Sequence, residues 1–308
     1  MNWRISFIGI ALFLLSCQQE KTVKNDVSET IYLIEPLDLL NIVNDHNIKI
    51  LDFRKKEFYV KEHIVGAINI WRTDIEDKLF LYSGVMASKT QIETLFGKLG
   101  IKTNDTIIVY DDNGLCEATR LWWILQYYDF KNIKLLNGGL PEWKANNGQV
   151  TSEISELSES VFKLSNNTMK QYYISKEEVE EALYRNMIIL DTRTADEFSG
   201  RRQKKGASKG GRIPNSIHID WAKAINYDSD KRLKSVKDLD SIYNTLNIKK
   251  NDSLIVYCHS GVRSAHTTFV LTQILGYKNV RNYDGSWIEW SYFNDLPFKK
   301  DSITKNIN

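Results

Sequence analysis

The stretch YCHSGVRSAHT, Tyr257 to Thr267, follows the apolar run Leu254-Ile255-Val256, and it has a counterpart in YDDNGLCEATR, Tyr110 to Arg120, which follows Ile107-Ile108-Val109. Both keep glycine at the fifth place, as Gly261 and Gly114, but Cys258 in one stands where the other has Asp111. A short β-branched run that ends in polar residues and glycine, then passes into helix formers, reads as strand, loop and helix. Three further blocks repeat in the same order. ILDFR (Ile50–Arg54) answers ILDTR (Ile189–Arg193), HIVGAINIW (His63–Trp71) answers RIPNSIHIDW (Arg212–Trp221), and NIKLLNGGLPEW (Asn132–Trp143) answers NVRNYDGSWIEW (Asn279–Trp290). A repeat spaced by about 147 residues, the separation of Asp111 from Cys258, is a duplicated domain rather than a solenoid.

Each unit alternates short apolar strands with helical stretches, which predicts an α/β fold: two domains, each a parallel β-sheet flanked by α-helices. SKEEVEEAL from Ser175 opens a helix with a Ser cap and Glu178 three residues on. TTFVLTQIL closes one at Gly276, and TRLWWILQYY plays that part in the first unit. The domains are expected at 31–148 and 172–300, joined by a polar linker at 149–171. The helix after the Cys258 loop is expected to begin near Ser264 or Ala265.

The 308 residues are 42% hydrophobic and 26% charged with a formal charge of +2, which suits a soluble globular protein and gives no electrostatic case for nucleic acid. Without a basic groove the eight tryptophans read as core and pocket walls. Three cysteines make no disulfide framework, the five histidines lack zinc spacing, and no metal or cofactor is called for. GASKGGR (Gly206–Arg212) lacks the ending of a phosphate-binding loop; with RRQKK before it, it reads as a solvated basic loop that attracts anions to the site's mouth. At the N-terminus a positive start precedes an apolar run, Ile5 to Leu15, too short to span a bilayer and suited to a signal peptide. Ser16-Cys17 resembles a bacterial lipobox. This implies a signal peptide at 1–16, lipidation at Cys17, a tether at 17–30, and domains outside the cytoplasm in the cell envelope, at the periplasm or outer membrane.

A loop at the end of a parallel strand lies at the sheet edge where ligands bind. Its inward N–H groups and the following helix N-terminus favour an anion, Gly261 supplies a positive φ, and Arg263 adds a cation. All of these stabilise a thiolate, so Cys258 is the candidate nucleophile. A buried structural cysteine is the plainer alternative.

At these residues the chain resembles the tandem-domain rhodanese family, the thiosulfate and 3-mercaptopyruvate sulfurtransferases, over nearly all of 31–299. CHSGVR is similar to the family's six-residue active loop, DTRTADEFSG and GGRIPNSIHIDW to its D-x-R and G-H-I-P-G-A blocks, and DGSWIEW to its D-G-G-x-x-x-W ending. The resemblance implies that Cys258 carries sulfur as a persulfide and that the first domain, with Asp111, keeps the scaffold without the chemistry. The carboxylate there would be held as an anion by the same amides. It implies a cradle of His259, Ser260, Gly261, Val262 and Arg263. Arg193 would bind the donor's anionic end, or else brace the strand end in a salt bridge. A relay of Ser260 with His63 and Asp52 would assist mercaptopyruvate cleavage. Its partners are a small anionic sulfur donor and a thiol acceptor, or cyanide in an assay. Arg212 stands where the family has His, which removes one alternative base, and Arg263 stands where the family's loop ends in Thr, so donor preference does not carry over. Two rivals stay open: a non-turnover persulfide carrier or redox-binding module, and a cysteine phosphatase, for which the loop is one residue short of Cys-x5-Arg. A Cys116–Cys258 disulfide is a further possibility in an oxidising compartment.

Overall fold

The structure, a computed structural model, describes residues 30–185 and 187–301, so the expected signal segment and Cys17 lie outside the described residues. The first domain runs β1 (Leu33–Ile34), α1 (Pro36–Ile42), β2 (Ile48–Asp52), α2 (Lys56–Tyr59), β3 (His63–Ile64), β4 (Ile68–Asn69), α3 (Lys89–Lys98), β5 (Thr106–Tyr110), α4 (Cys116–Tyr127), β6 (Ile133–Leu136), α5 (Gly139–Ala145) and β7 (Val150–Thr151). The second runs β8 (Tyr173–Ile174), α6 (Lys176–Tyr184), β9 (Ile188–Asp191), α7 (Ala195–Ser199), β10 (Ile217–His218), α8 (Val236–Tyr243), β11 (Ser253–Tyr257), α9 (Val262–Phe269), β12 (Asn279–Tyr283) and α10 (Ser286–Tyr292).

The strands read as continuous apolar runs because helices cover both faces, and β5 and β11 are buried at nearly every position. Strand order is β1-β6-β5-β2-β4 in the first sheet and β8-β12-β11-β9-β10 in the second, with every pair parallel. Matching each strand to its repeat makes the two orders identical. The register repeats too: Tyr110 lies beside Asp52, and Tyr257 beside Asp191. Both central strands therefore deliver their loops to the same carboxyl edge, one loop per domain.

Ser175 and Glu178 form the expected reciprocal cap, Glu178 N–H to Ser175 Oγ at 3.3 Å and Ser175 N–H to Glu178 Oε2 at 3.0 Å. The helix after the Cys258 loop starts earlier than expected, at Val262. Gly261, at φ +74°, turns the chain directly into the helix, so the last loop residues already have helical geometry. α9 then passes through one π turn, Val270–Ile274, before Gly276 at φ +74° ends it.

The two domains share one apolar core through α4 and α9, where Trp122 meets Phe269 edge-on at 5.0 Å. Trp122, Trp123, Trp143, Trp287 and Trp290 are all buried, as the composition suggested. Within the polar segment between the domains, Phe162 and Leu164 bury into the first domain. Ser160 N–H donates there to Gly97 O at 2.8 Å, so the segment is strapped down rather than free.

Candidate active site

Cys258 follows the last residue of β11, and its side chain is 1% exposed. Ser264, one turn into α9, donates its hydroxyl to Sγ at 3.4 Å. Ser286, at the start of α10, anchors the loop from below: its Oγ accepts from Cys258 N–H and Gly261 N–H, both at 3.1 Å, and donates to Tyr283 O at 2.7 Å. Trp287 and Ile288 close the frame with N–H bonds to Cys258 O and His259 O. Burial opposes ionisation of the thiol. Arg263, the Ser264 hydroxyl and amide, and the Ser260 amide outweigh it, and Cys258 sits below its ordinary value.

Arg263 does not reach freely across the site. Its guanidinium forms a two-point pair with Glu197 of α7, at 2.7 and 2.8 Å. Burial disfavours the carboxylate, but Arg263 holds Glu197 well below the usual range. Two other cations act on the thiol's surroundings. Lys204, from the basic loop, is pushed below its ordinary value by burial first and then by Arg263. Arg72, from the first domain, pairs with Glu117 and adds its field at both Cys258 and Cys116. His259 points Nε2 at Lys205 O at 3.0 Å and is pushed down to about 4 by burial and by Lys204, so it is neutral at pH 7. Ser260 is half-buried beneath Gly84 of the first domain, where an added Cβ would come within 2.6 Å of the serine Cβ.

The Asp111 loop repeats this cradle around a carboxylate. Oδ1 accepts from Asn113 and Leu115 N–H at 3.0 and 2.9 Å, and Oδ2 from Glu117 and Ala118 N–H at 2.8 and 3.0 Å. The inward amides expected from the repeat are present. They do not hold the acid in its ordinary range, because burial first and Glu117 besides push Asp111 up to about 6. Cys116, opposite Arg263 in the repeat, is a buried free thiol raised well above its ordinary value by burial and Glu117. Cys258 is likewise free, so the disulfide considered from sequence is not formed.

Two expectations are corrected. Arg193 is not placed to receive a donor: it is 1% exposed, pairs with Asp191 at 2.5 Å and donates to Gly211 O at 2.8 Å. The first domain makes the same brace, Arg54 to Asp52 at 2.6 Å and to Glu62 O at 2.6 Å. A pair present in both units belongs to the shared scaffold, and the salt-bridge alternative is the one observed. The relay is not assembled either. Asp52 is taken by Arg54 and by the Tyr110 hydroxyl at 2.6 Å. His63 stacks on Tyr59 with its ring nitrogens facing Tyr59 O and Glu153 O, at 2.7 and 3.1 Å, not Ser260.

Reading the sequence missed Ser264, Ser286, Glu197 and Arg72, and placed Lys204 only within the basic loop at the site's mouth. Glu197 left one signal. Phe58 follows Asp52 at the spacing by which Glu197 follows Asp191, and Cys116 takes the place of Arg263, so both members of the ion pair are confined to the unit that carries Cys258.

Comparison with known proteins agrees with this geometry. The Rhodanese-like domain family matches the chain twice, over residues 35–146 and 175–292. A putative thiosulfate sulfurtransferase of Haloferax volcanii is 32% identical over 250 residues, 79% of this chain and 85% of that protein. The thiosulfate sulfurtransferase of Corynebacterium glutamicum is 32% identical over 256 residues, 79% and 82% of the two chains. Among solved structures, Escherichia coli SseA, described with the 3-mercaptopyruvate sulfotransferases, superposes with a TM-score of 0.74 at 24% identity, covering 84% of this chain and 99% of its own. Saccharomyces cerevisiae Tum1 gives 0.76 at 19% identity, over 88% and 98%. With both repeats matched, both sheets in one order and the cysteine loop closing the second, the chain belongs to the rhodanese family, as a pair of rhodanese-like domains.

Proposed function

We propose that the protein is a sulfurtransferase that moves a sulfane sulfur from thiosulfate or 3-mercaptopyruvate to a thiol, or to cyanide in an assay, through a Cys258 persulfide. One observation carries this reading: of the two buried loop thiols, Cys258 alone is driven toward the thiolate, by a cation, a hydroxyl and backbone amides. The thiolate attacks the outer sulfur of thiosulfate. The donor S–S bond breaks, sulfite leaves with the electron pair, and a Cys258 persulfide anion remains. The acceptor thiolate then attacks the outer sulfur, takes it as a persulfide and returns Cys258 as thiolate. With mercaptopyruvate the C–S bond breaks and the enolate takes a proton to become pyruvate. The loop amides serve the persulfide anion as an oxyanion hole serves an alkoxide.

Thiosulfate is the better match among the donors. Its sulfite leaving group needs no proton, and neither the neutral His259 nor the occupied His63 supplies the acid that an enolate would need, whereas Arg263, Lys204 and Arg72 favour a dianion. The first domain is inactive as a sulfur carrier because a carboxylate occupies the cradle. We further propose that the mature protein is anchored through a lipidated Cys17 on the cell envelope, as the sequence implies; radiolabelled palmitate that enters the protein equally well in a Cys17→Ala variant would refute this.

The test is steady-state sulfur transfer with each donor, wild type against Cys258→Ser, with the Cys258 peptide weighed after exposure to donor. The expected results are loss of both activities and one added sulfur on that peptide. Activity that survives the substitution refutes the proposal. Loading without turnover would favour the carrier, and hydrolysis of p-nitrophenyl phosphate the phosphatase.

A further inference from the structure

Gly114 and Gly261 hold the same place in their loops, and the carbonyl of each faces a side chain from the other domain. In the first domain both ends of the following peptide are visible. Gly114 O lies 3.1 Å from His266 Nε2 of α9, while the N–H of the same peptide, on Leu115, donates to Asp111 Oδ1 at 2.9 Å. A trans peptide points its C=O and N–H in opposite directions, so fixing the oxygen outward fixes the hydrogen inward.

In the second domain Gly261 O accepts from the α9 amide of Ala265 at 3.2 Å, from Asn282 Nδ2 at 3.2 Å and from Arg120 Nη1 at 3.4 Å. Arg120 belongs to α4 of the first domain and is 2% exposed. Its Nη2 donates to Gly84 O at 3.0 Å, and Nη1 lies 2.6 Å from Asp284 Oδ1. Asp284 Oδ2 in turn accepts from Met86 N–H at 2.9 Å. One guanidinium thus grips the Cys258 loop, the segment that covers Ser260, and the carboxylate before α10. No room is left for a looser arrangement: a Cβ on Gly261 would meet Arg120 Nη1 at 2.7 Å and Asp284 O at 2.6 Å.

We infer that Arg120 is a positioning residue for Cys258. From the first domain it adds a third hold on Gly261 O, which keeps the N–H of the Gly261–Val262 peptide turned into the Cys258 loop, and it fastens the residue 84 segment over the loop in the same grip. This rests on Cys258 being the nucleophile, and it gives the first domain, whose own loop carries Asp111 at that place, a part in the chemistry. Without Arg120 the carbonyl would keep Ala265 N–H and Asn282, both from its own domain, and the covering segment would lose its tie to the loop.

The test reads the pH midpoint of Cys258 alkylation by iodoacetamide, with the modified peptide identified by mass, alongside thermal melting. Arg120→Lys keeps the charge opposite Asp284 but cannot donate to Gly84 O and Gly261 O together. Arg120→Met with Asp284→Asn removes the grip without leaving a buried charge. The other charges facing the thiol, Arg263 with Glu197, Lys204, and Arg72 with Glu117, are untouched in both. The expected result is a midpoint about one pH unit higher in each variant, hence about tenfold less thiolate well below the midpoint. Variants that melt lower yet keep the wild-type midpoint would show Arg120 to be structural only and overturn the inference. Wild-type Cys258 that resists alkylation across the pH range would overturn the proposed function, and this inference with it.

Discussion

Replacing Arg263 by Met removes the charge that contributes most to lowering Cys258, and the structure fixes what else changes. An opposite charge close to a titrating group moves it by about one to three pH units. Glu197 neutralises part of this one, so the lower part applies, about one to two units. Each unit removes about tenfold of the thiolate at neutral pH, while the remaining thiolate gains about threefold in nucleophilicity. The net slowing of sulfur loading is about threefold to about tenfold at pH 7, recovered as pH rises past the new midpoint. Stability falls as well, because Glu197, with 3% of its side chain exposed, loses its paired cation and keeps only the Thr194 hydroxyl and amide; breaking such a pair costs about 3–5 kcal/mol. The Arg263→Met, Glu197→Gln double variant separates the two effects. It removes the orphaned carboxylate, so most of the stability returns while the thiol stays raised. Alkylation of Cys258 against pH reports the thiol, and single-turnover loading with thiosulfate reports the chemistry. A double variant with the wild-type midpoint and loading rate would refute the electrostatic argument. The acid limb supplies a second check. Glu197 titrates lower folded than unfolded, so its stabilisation is present above pH about 4.5 and fades as pH falls toward the depressed folded value. Glu197→Gln removes that part of the acid dependence.

Cys116→Ser leaves sulfur transfer within about twofold of wild type, since burial and Glu117 keep that thiol protonated at neutral pH; a large loss would give Cys116 a role in turnover. Asp111→Cys places a thiol in a complete amide cradle but does not arm it, because Cys116 stands where Arg263 does and Glu117 where Ser264 does. In a Cys258→Ser background it should stay inactive and alkylate only at alkaline pH, and activity there would show that amides alone suffice. Arg54→Met and Arg193→Met each orphan a buried aspartate and should each cost about 3–5 kcal/mol in denaturant unfolding. Whatever folded Arg193→Met remains should keep its KM for thiosulfate, and a selective rise in KM would restore Arg193 to donor binding.

Much of the fold was legible because it rests on local patterns written twice. Apolar runs of strand length, a Ser–Glu helix cap and glycines at the loop turns each act over a few residues, and the repeat made a chance match of any one of them irrelevant. Cys258 was legible for the same reason, as the difference between two copies of one loop. The helix start was misjudged because the positive φ of Gly261 folds the loop's end into the helix, which polar composition does not reveal. Arg193 and His63 were misassigned because a motif names a residue without saying which way its side chain is held. Asp191, Gly211 O, Tyr59 O and Glu153 O settle that.

The sequence by itself determined two parallel-sheet domains and set Cys258 apart, with Arg263 beside it, as the candidate nucleophile at the edge of the second. Only the tertiary structure decided how the charges around that sulfur are held. Arg263 is paired to Glu197 from a distant helix, Lys204 comes from the basic loop, and Arg72 and Arg120 cross from the other domain. The physical reason is range. Helix and strand signals are set by neighbours along the chain, whereas a charge acts through space on whatever folding brings beside it, and burial decides how strongly it is felt.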